Sequence, residues 1–490
     1  MQDLLSSVSY INEKGVRQYE ILINGCWKCL YSNRVFEVKN PATGEIVGLV
    51  PDCDVEDVKS AIEAARHSSE ISRISPVERL EIMERAKHLV EENRQLLAET
   101  ISREQGKPIS VALGEVQSTA ERLHLTMEET RVLYGEYIPG EWVPDTKNKF
   151  AIVLRKPLGV VAAISPFNYP LFIAASKIIP AILAGNTVVA KPASATPITL
   201  ILFVKILEMA GMPAGTINIV TGRGRSIGDT LVESPDIDAV SFTGSTSIGE
   251  SIARKAGIKK LHLELGGKAS AIVLDDANVD LAARLISRGT FRNSGQRCDA
   301  VSRVLITQGV RNRFIAAVLA ETAKYKTGDP LDPATQMGTV ISREAAERIQ
   351  SLVDDAVSRG AKLLAGGKSN GLFYEATVLD GVTGEMRIAW EEIFGPVMPI
   401  IEVSGHEEAI RISNESEYGL DSCVFTQDID KALQVAHELQ DGSVTINNVP
   451  THGVGHFPFG GNKKSGMGRE GIKYSIDELT KLHTIIISGE

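Results

Sequence analysis

The chain has 490 residues, 43% hydrophobic and 23% charged, which is ordinary for a globular protein and too long for a single core; roughly two to four lobes are expected. A formal net charge of −10 argues against a nucleic-acid binder, because phosphate contacts need a dense basic face. The longest apolar runs, such as "YPLFIAASKIIPAILAG", are broken by Lys177 and Pro180 and read as buried helix rather than membrane span.

The N-terminus, "MQDLLSSVSYINEKGV", carries acidic residues and no uninterrupted apolar stretch, so it does not read as a secretory signal. Residues 19–52 read as short strands and turns, and they contain Cys26 and Cys29 in a C-x-x-C. That spacing is half a zinc site or a redox pair, but it lacks a second ligand pair and a following helix, so no metal is assigned. Five cysteines in a chain this long make no disulfide framework, and a cytoplasmic, reducing compartment is expected. Asp54 opens a helix through about His67. Ser75-Pro76-Val77-Glu78 is a capping box that starts a long helix running to the "QGKP" stop. A further helix is expected over about 110–133.

From Lys156 to Gly266 the pattern changes. The apolar runs "GVVAAIS", "NTVVAKP", "TINIVTG", "DAVSFTG" and "KLHLELGG" read as strands, separated by helices starting near Pro170, Pro197, Ser226 and Ser247. Near-continuous apolar strands joined by helices mark a parallel sheet covered on both faces. A second α/β alternation follows from Gly267: "SAIVLDD", "SRVLITQG", "KLLAGG", "MPIIEV" and "SVTINN". Two segments fit neither unit, the hairpin-like "GEWVPDTKNKFAIVLRKPLG" and the C-terminal "KLHTIIIS". The latter is apolar on both faces, and a lone edge of that kind calls for an interface to cover it.

Several residues stand out chemically. "FTGSTSIGES" places Gly244, Ser245 and Gly249 at a strand-to-helix turn, where backbone N–H groups and the helix dipole attract an anion. Lys191 and Ser194, in "KPAS", end a strand with a cation and a hydroxyl. Cys298, Glu264 and Asn168 are the catalytic candidates; a thiol needs a base or a positive neighbour to act as a nucleophile, and Arg297 with the flexible Gly295 offers both field and access. Taken singly, each has an ordinary structural reading, as a buried thiol, a strand-end carboxylate or a turn amide.

Together they do not. The motifs "SPFNYP", "KPASATP", "GRGRSIGDTL", "FTGSTSIG", "LELGGK", "SGQRC", "EEIFGPV" and "FPFGGNKKSGMGREG", in this order, make the chain resemble the aldehyde dehydrogenase superfamily over nearly its whole length. Among its subgroups the chain looks most like the non-phosphorylating glyceraldehyde-3-phosphate dehydrogenases. The shared features are "GQRCDAVSRVL", "EEIFGPVMPII", "SEYGL" and the extended N-terminus. The resemblance implies an α/β fold. A Rossmann-type cofactor domain would span residues 1–136 and 157–266 and an α/β catalytic domain 267–469. A small β oligomerisation segment would comprise 137–156 and 470–490 and give a homodimer or homotetramer.

It also implies roles. Cys298 would attack the aldehyde, Asn168 would stabilise the oxyanion, and Glu264 would activate the water that releases a free acid. Lys191 and Ser194 would meet the adenosine ribose, Gly244, Ser245 and Gly249 the pyrophosphate, and Glu392 and Phe394 the nicotinamide end. Serine at 194, where NAD-preferring members often carry glutamate, favours NADP or use of both NADP and NAD. Arg297 and Tyr169 match residues that contact a substrate phosphate, while Ser118 and His452 stand where some members carry further arginines. Glyceraldehyde 3-phosphate is the leading substrate, with lactaldehyde, glyceraldehyde and succinate semialdehyde as alternatives. A cysteine esterase or acyltransferase on the same fold is the reading outside the dehydrogenase class.

Overall fold

Two capping boxes set the N-terminal helices. In the computed structural model, which describes residues 4–28, 34–68, 70–132 and 135–489, Asp54 accepts from the N–H groups of Glu56 and Asp57. Asp57 returns a bond to the Asp54 N–H and opens α1 (Val55–His67). Ser75 and Glu78 make the same reciprocal pair at the start of α2 (Pro76–Glu92). One helix was expected from there to Gln105, but the structure has two. The chain breaks at Asn93, whose side-chain amide donates to the Leu89 carbonyl, before α3 (Arg94–Gln105). Gly106, left-handed at φ +85°, ends α3, and α4 (Ile109–Thr130) follows.

The five apolar runs form a parallel sheet. Its strands are β1 (Val160–Ile164), β2 (Thr187–Lys191), β3 (Ile217–Ile219), β4 (Ala239–Thr243) and β5 (Lys260–Glu264), in the order β3-β2-β1-β4-β5. The connecting helices are α5 (Phe172–Leu183), α6 (Pro197–Met209), α7 (Gly224–Glu233) and α8 (Thr246–Lys255). Strands β1 to β4 are buried throughout, which is why their sequences are apolar without alternation. In such a sheet the carboxyl ends of the strands open onto one crevice. Asn168 follows β1, Lys191 ends β2, Gly244 follows β4 and Glu264 ends β5, so four chemistry-bearing segments share that edge.

A second sheet holds β6 (Ala269–Val273), β7 (Val301–Thr307), β8 (Lys362–Ala365), β9 (Thr377–Asp380), β10 (Val397–Val403), β11 (Asp421–Phe425) and β12 (Ser443–Ile446), in the order β8-β9-β10-β7-β6-β11-β12. All its pairs are parallel except β8 with β9. Strands β9 and β11 were not expected, because "TVLD" and "DSCVF" are too short and too mixed in polarity to stand out. The helix between β6 and β7, α9 (Val279–Phe291), leads into the Cys298 loop. Late in the chain, Gly466–Met467 returns to the first sheet and pairs antiparallel with Leu263 and Glu264. The segment before residue 469 therefore builds on both sheets.

The expected hairpin is present, with Glu136–Pro139 antiparallel to Lys149–Pro157. The C-terminal strand Thr480–Ser488 is not a lone edge: it pairs along one side with Lys149–Pro157 of its own chain. Its outer side and face stay exposed. Cys26 lies exposed in a two-stranded hairpin, and Cys29 is outside the described residues. No helix among the described residues is long and apolar enough to cross a membrane.

Candidate active site

The loop that carries Cys298 is held in a conformation that side chains rarely adopt. After α9, Asn293, Ser294 and Gly295 have φ of +54°, +54° and +70° in succession. Gly295 has no room for a Cβ, because the backbone of Gly395 and Pro396 lies against it. The other two are tied down by side-chain bonds. Asn293 Nδ2 donates to the Asn168 carbonyl (3.2 Å) and Ser294 Oγ to the Gly338 carbonyl (3.0 Å). Gln296 donates to the Thr339 carbonyl (3.1 Å) and accepts from the Ile341 N–H (2.8 Å). Such bonds fix the loop against backbone strain.

Cys298, half-buried, then stands between two cavities of about 870 and 260 Å³, and only it and Thr243 line both among the described residues. Burial, followed by the carboxylates of Asp299, Asp421 and Glu264, pushes its thiol well above the usual value. Arg297 pulls the other way but does not prevail, since its guanidinium is engaged by Asp299 through two bonds (3.0 and 2.7 Å). The expected activating field from Arg297 is therefore largely cancelled by the next carboxylate in the sequence.

Asn168 and Glu264 flank the thiol in different cavities. Asn168 Nδ2 gives one hydrogen to the Gln296 carbonyl (3.0 Å) and has a second to offer, and Asn168 lines the larger cavity. The backbone N–H of Cys298 has no acceptor among the described residues. These are two donors beside the sulfur, the arrangement an oxyanion requires. Glu264 lines the smaller cavity. Its Oε1 is 3.1 Å from His262 Nε2, and its buried Oε2 has no partner among the described residues. Burial pushes His262 down to about 3, so the imidazole is neutral. Burial and then the Glu470 charge raise the Glu264 carboxyl well above the ordinary range, with Lys177 opposing.

Sequence reasoning missed this last cluster. Lys177, fully buried in α5, has its Nζ 3.6 Å from Glu470 Oε2 and no hydrogen bond of its own among the described residues. The only sequence signal was the lysine interrupting "FIAASKIIP", which served to exclude a membrane span.

The larger cavity runs from β2 to the Cys298 loop. Lys191, Gly244, Ser245, Glu392 and Phe394 all line it. Among the described residues Lys191 Nζ bonds only the Pro192 carbonyl (3.2 Å), and burial lowers it to about 8. Ser245 is the N-cap of the ten-residue α8 but makes no side-chain cap bond; the Ile248 N–H returns to the Ser245 carbonyl (3.1 Å), while the Thr246 and Ser247 N–H groups have no acceptor among the described residues. Ser194 and Gly249 lie outside the lining. Ser194 Oγ donates to the Gly222 carbonyl (2.8 Å), and Gly249 lets α8 approach Leu265, where a Cβ would collide. Glu392 Oε1 accepts the Gly267 N–H (3.2 Å), and Phe394, at φ +48°, meets the Phe167 ring edge-on at 5.8 Å. A cation at one end, open helix amides in the middle and a carboxylate with an aromatic at the thiol end fit a dinucleotide.

The smaller cavity is lined by Tyr169, Arg297 and His452, and the charged groups of Arg297 and His452 are each engaged by a carboxylate. Tyr169 lies under Lys107, whose ammonium is 4.0 Å from the ring centroid. His452 Nε2 is 2.9 Å from Asp421 Oδ1; burial works against its charge, yet this hydrogen bond and the Asp421 charge raise it above its usual value. Arg122 also reaches the cavity wall, but it is buried and spends its guanidinium on the carbonyls of Val454 (2.9 Å) and Gly471 (3.0 Å). Two cations the sequence reading did not single out, Arg288 and Arg292, line the cavity and are exposed. Neither guanidinium has an ion pair or hydrogen bond among the described residues. They stand six and two residues before the "SGQRC" motif, and nothing local to them marks either as a cavity residue.

Comparison with known proteins agrees with this geometry. A family model described as the aldehyde dehydrogenase family matches residues 29–485. A lactaldehyde dehydrogenase of Methanococcus aeolicus is 42% identical over 96% of this chain and 100% of its own length. An NADP-dependent glyceraldehyde-3-phosphate dehydrogenase of Streptococcus equinus is 42% identical, over 96% and 98%. Among solved structures, the NADP-dependent glyceraldehyde-3-phosphate dehydrogenase of Bacillus halodurans complexed with NADP superposes with a TM-score of 0.94. It is 43% identical, with 96% of this chain and 99% of that one covered.

Proposed function

Because the chain belongs to the aldehyde dehydrogenase family, we propose that it oxidises a small polar aldehyde to the free acid, through a thioester on Cys298 and with NADP or NAD as oxidant. The carrying observation is the position of Cys298 at the junction of the two cavities, with Asn168 in one and Glu264 in the other.

Each step has a residue to perform it. The Cys298 sulfur, as thiolate, adds to the aldehyde carbon, and the carbonyl oxygen becomes an oxyanion. The second Asn168 amide hydrogen and the Cys298 N–H are placed to hold that charge, each donor contributing about 3 kcal/mol. Bound in the larger cavity, the dinucleotide supplies the hydride acceptor. Glu264 then takes a proton from water as the oxygen adds to the thioester carbon. Collapse of that adduct breaks the C–S bond and returns the thiolate. A carboxyl group held above its usual range is a better proton acceptor near neutral pH than an ordinary carboxylate.

D-Glyceraldehyde 3-phosphate leads as substrate, because Arg288 and Arg292 add uncommitted positive charge to a cavity that also contains Arg297 and Tyr169. Lactaldehyde is the second reading, favoured by the pairing of Arg297 with Asp299 and of His452 with Asp421, which leaves polar rather than cationic groups around a short substrate. The test is cofactor reduction, in phosphate-free buffer, with glyceraldehyde 3-phosphate, lactaldehyde, glyceraldehyde and succinate semialdehyde, each with NADP and with NAD. Glyceraldehyde 3-phosphate should win in kcat/KM, and Arg292→Met should lower its value about tenfold, the loss of one ion pair to an anion, while leaving lactaldehyde unchanged. A wild-type preference for lactaldehyde would replace the first reading with the second. NADP is favoured over NAD because Lys191 offers a cation to a 2′-phosphate and position 194 carries a neutral serine rather than a carboxylate that would repel it. Ester hydrolysis without any aldehyde oxidation would instead favour the esterase reading.

The hairpin of Glu136–Pro139 with Lys149–Pro157, together with the C-terminal strand, is read as an interface between copies of this chain in a homodimer or homotetramer, in a reducing, cytoplasmic setting. Trp142, Tyr137, Leu482 and Ile486 are 85%, 66%, 60% and 67% exposed on the hairpin and the C-terminal strand, more apolar surface than an isolated chain ordinarily leaves in water. Ile486→Arg combined with Trp142→Arg should shift the mass measured by analytical ultracentrifugation toward the monomer. An unchanged mass would place the interface elsewhere.

A further inference from the structure

The buried polar group nearest to Asn168 has no part in the chemistry so far. Lys107 lies in the short link between α3 and α4, and Glu115 lies two turns into α4; both side chains are fully buried and their charged atoms are 2.6 Å apart. Every direction open to them is used on one loop. Lys107 Nζ donates to Glu115 Oε2 and to the backbone carbonyl of Asn168 (2.6 Å), and it sits over the face of Tyr169. Glu115 Oε1 accepts the N–H groups of Leu171 (2.9 Å) and Phe172 (3.1 Å), the entry to α5. The pair thus grips residues 168, 169, 171 and 172 from behind, while the Asn168 side chain faces the Cys298 loop through Gln296.

We propose that Lys107 and Glu115 are positioning residues for the oxyanion donor: they fix the Asn168 amide, and with it the Tyr169 ring, relative to the thiol. The inference rests on the reading of Asn168 as an oxyanion donor. Stability alone does not account for the pair, since a buried ion pair is commonly matched or surpassed by apolar residues of the same volume. What such a pair supplies is direction. Its hydrogen bonds go to one carbonyl and two amides of a single loop, and misplacement of a reacting group by about 1 Å costs about 100-fold in rate. Asn293 ties the same Asn168 carbonyl to the Cys298 loop, so the carbonyl is the common anchor of both halves of the site.

The test is a double-mutant cycle read by single-turnover cofactor reduction, with NADP and D-glyceraldehyde 3-phosphate, or lactaldehyde should it rank higher. Lys107→Met and Glu115→Gln should each slow the first turnover by about 10- to 100-fold and leave the cofactor KM within about twofold. Glutamine at 115 still accepts from Leu171 and Phe172, so it carries the test if Lys107→Met does not fold. In an Asn168→Ala background the further loss should fall below about threefold, since residues acting through one another are not additive. Losses that multiply, or folded variants with a wild-type first turnover, would overturn the proposal, as would a Glu115→Gln protein that no longer folds, which marks the pair as structural. If Asn168→Ala itself turns over normally, the oxyanion assignment falls first and takes the inference with it. A normal Lys107→Met beside a crippled Asn168→Ala removes the inference alone.

Discussion

Cys298→Ser is expected to lose aldehyde oxidation by about three to four orders of magnitude while keeping its cofactor affinity. Cys298 is one of many residues lining the long cavity, so the groups that would hold the dinucleotide, from Lys191 to Phe394, remain in place. What is lost is the nucleophile. A serine hydroxyl is a far weaker acid than a thiol, and nothing in the site offsets that difference. Burial and three carboxylates already push the thiol well above its usual value, and Arg297 is bound to Asp299. Those groups would oppose an alkoxide at least as strongly. Cofactor affinity by fluorescence titration and turnover by absorbance separate the two effects. Turnover at the wild-type rate would sink the assignment of Cys298.

Glu264→Gln should give a different signature, a rapid first turnover followed by a stall. Acylation does not use the carboxylate in the proposed sequence, but hydrolysis of the thioester does, and loss of a general base costs about 10²- to 10⁴-fold. The pH dependence carries the same assignment. A base works ionised, and burial with the Glu470 charge raises the Glu264 carboxyl, so hydrolysis should weaken as pH falls through that raised value, earlier than for an ordinary carboxylate. Glu264→Gln should lose this dependence along with the rate. Steady, undiminished turnover after the substitution would mean that another group activates water, and the buried Lys177–Glu470 pair would be examined next.

The difference between those two expectations and the substrate question reflects how the site is built. Cys298, Asn168 and Glu264 sit in short motifs, each fixed by local chemistry: a left-handed turn before the thiol, the end of β1 and the end of β5. Arg288 and Arg292 are ordinary helix-end residues by sequence, and only the fold, which brings the end of α9 to the same cavity as α4, turns them into cavity walls.

The sequence by itself determined the elements whose causes are local. The two capping boxes start α1 and α2 where Asp54 and Ser75 place them, and the uninterrupted apolar runs specify strands buried on both faces. It also determined the order of the motifs and with it the family. Tertiary structure decided what depends on residues distant in the chain. It broke the expected long helix at Asn93, inserted β11 between β6 and β12 of the second sheet, and returned Gly466–Met467 to the first. It also settled which charges are free. Arg297 reads in sequence as a cation beside a thiol; in the fold Asp299 closes on it with two bonds. Lys107 reads as a residue at a helix stop; in the fold it reaches across 61 positions to hold the carbonyl of Asn168. Propensity and periodicity act over a few residues, whereas the partner of a buried charge is chosen by packing, which spans the whole chain.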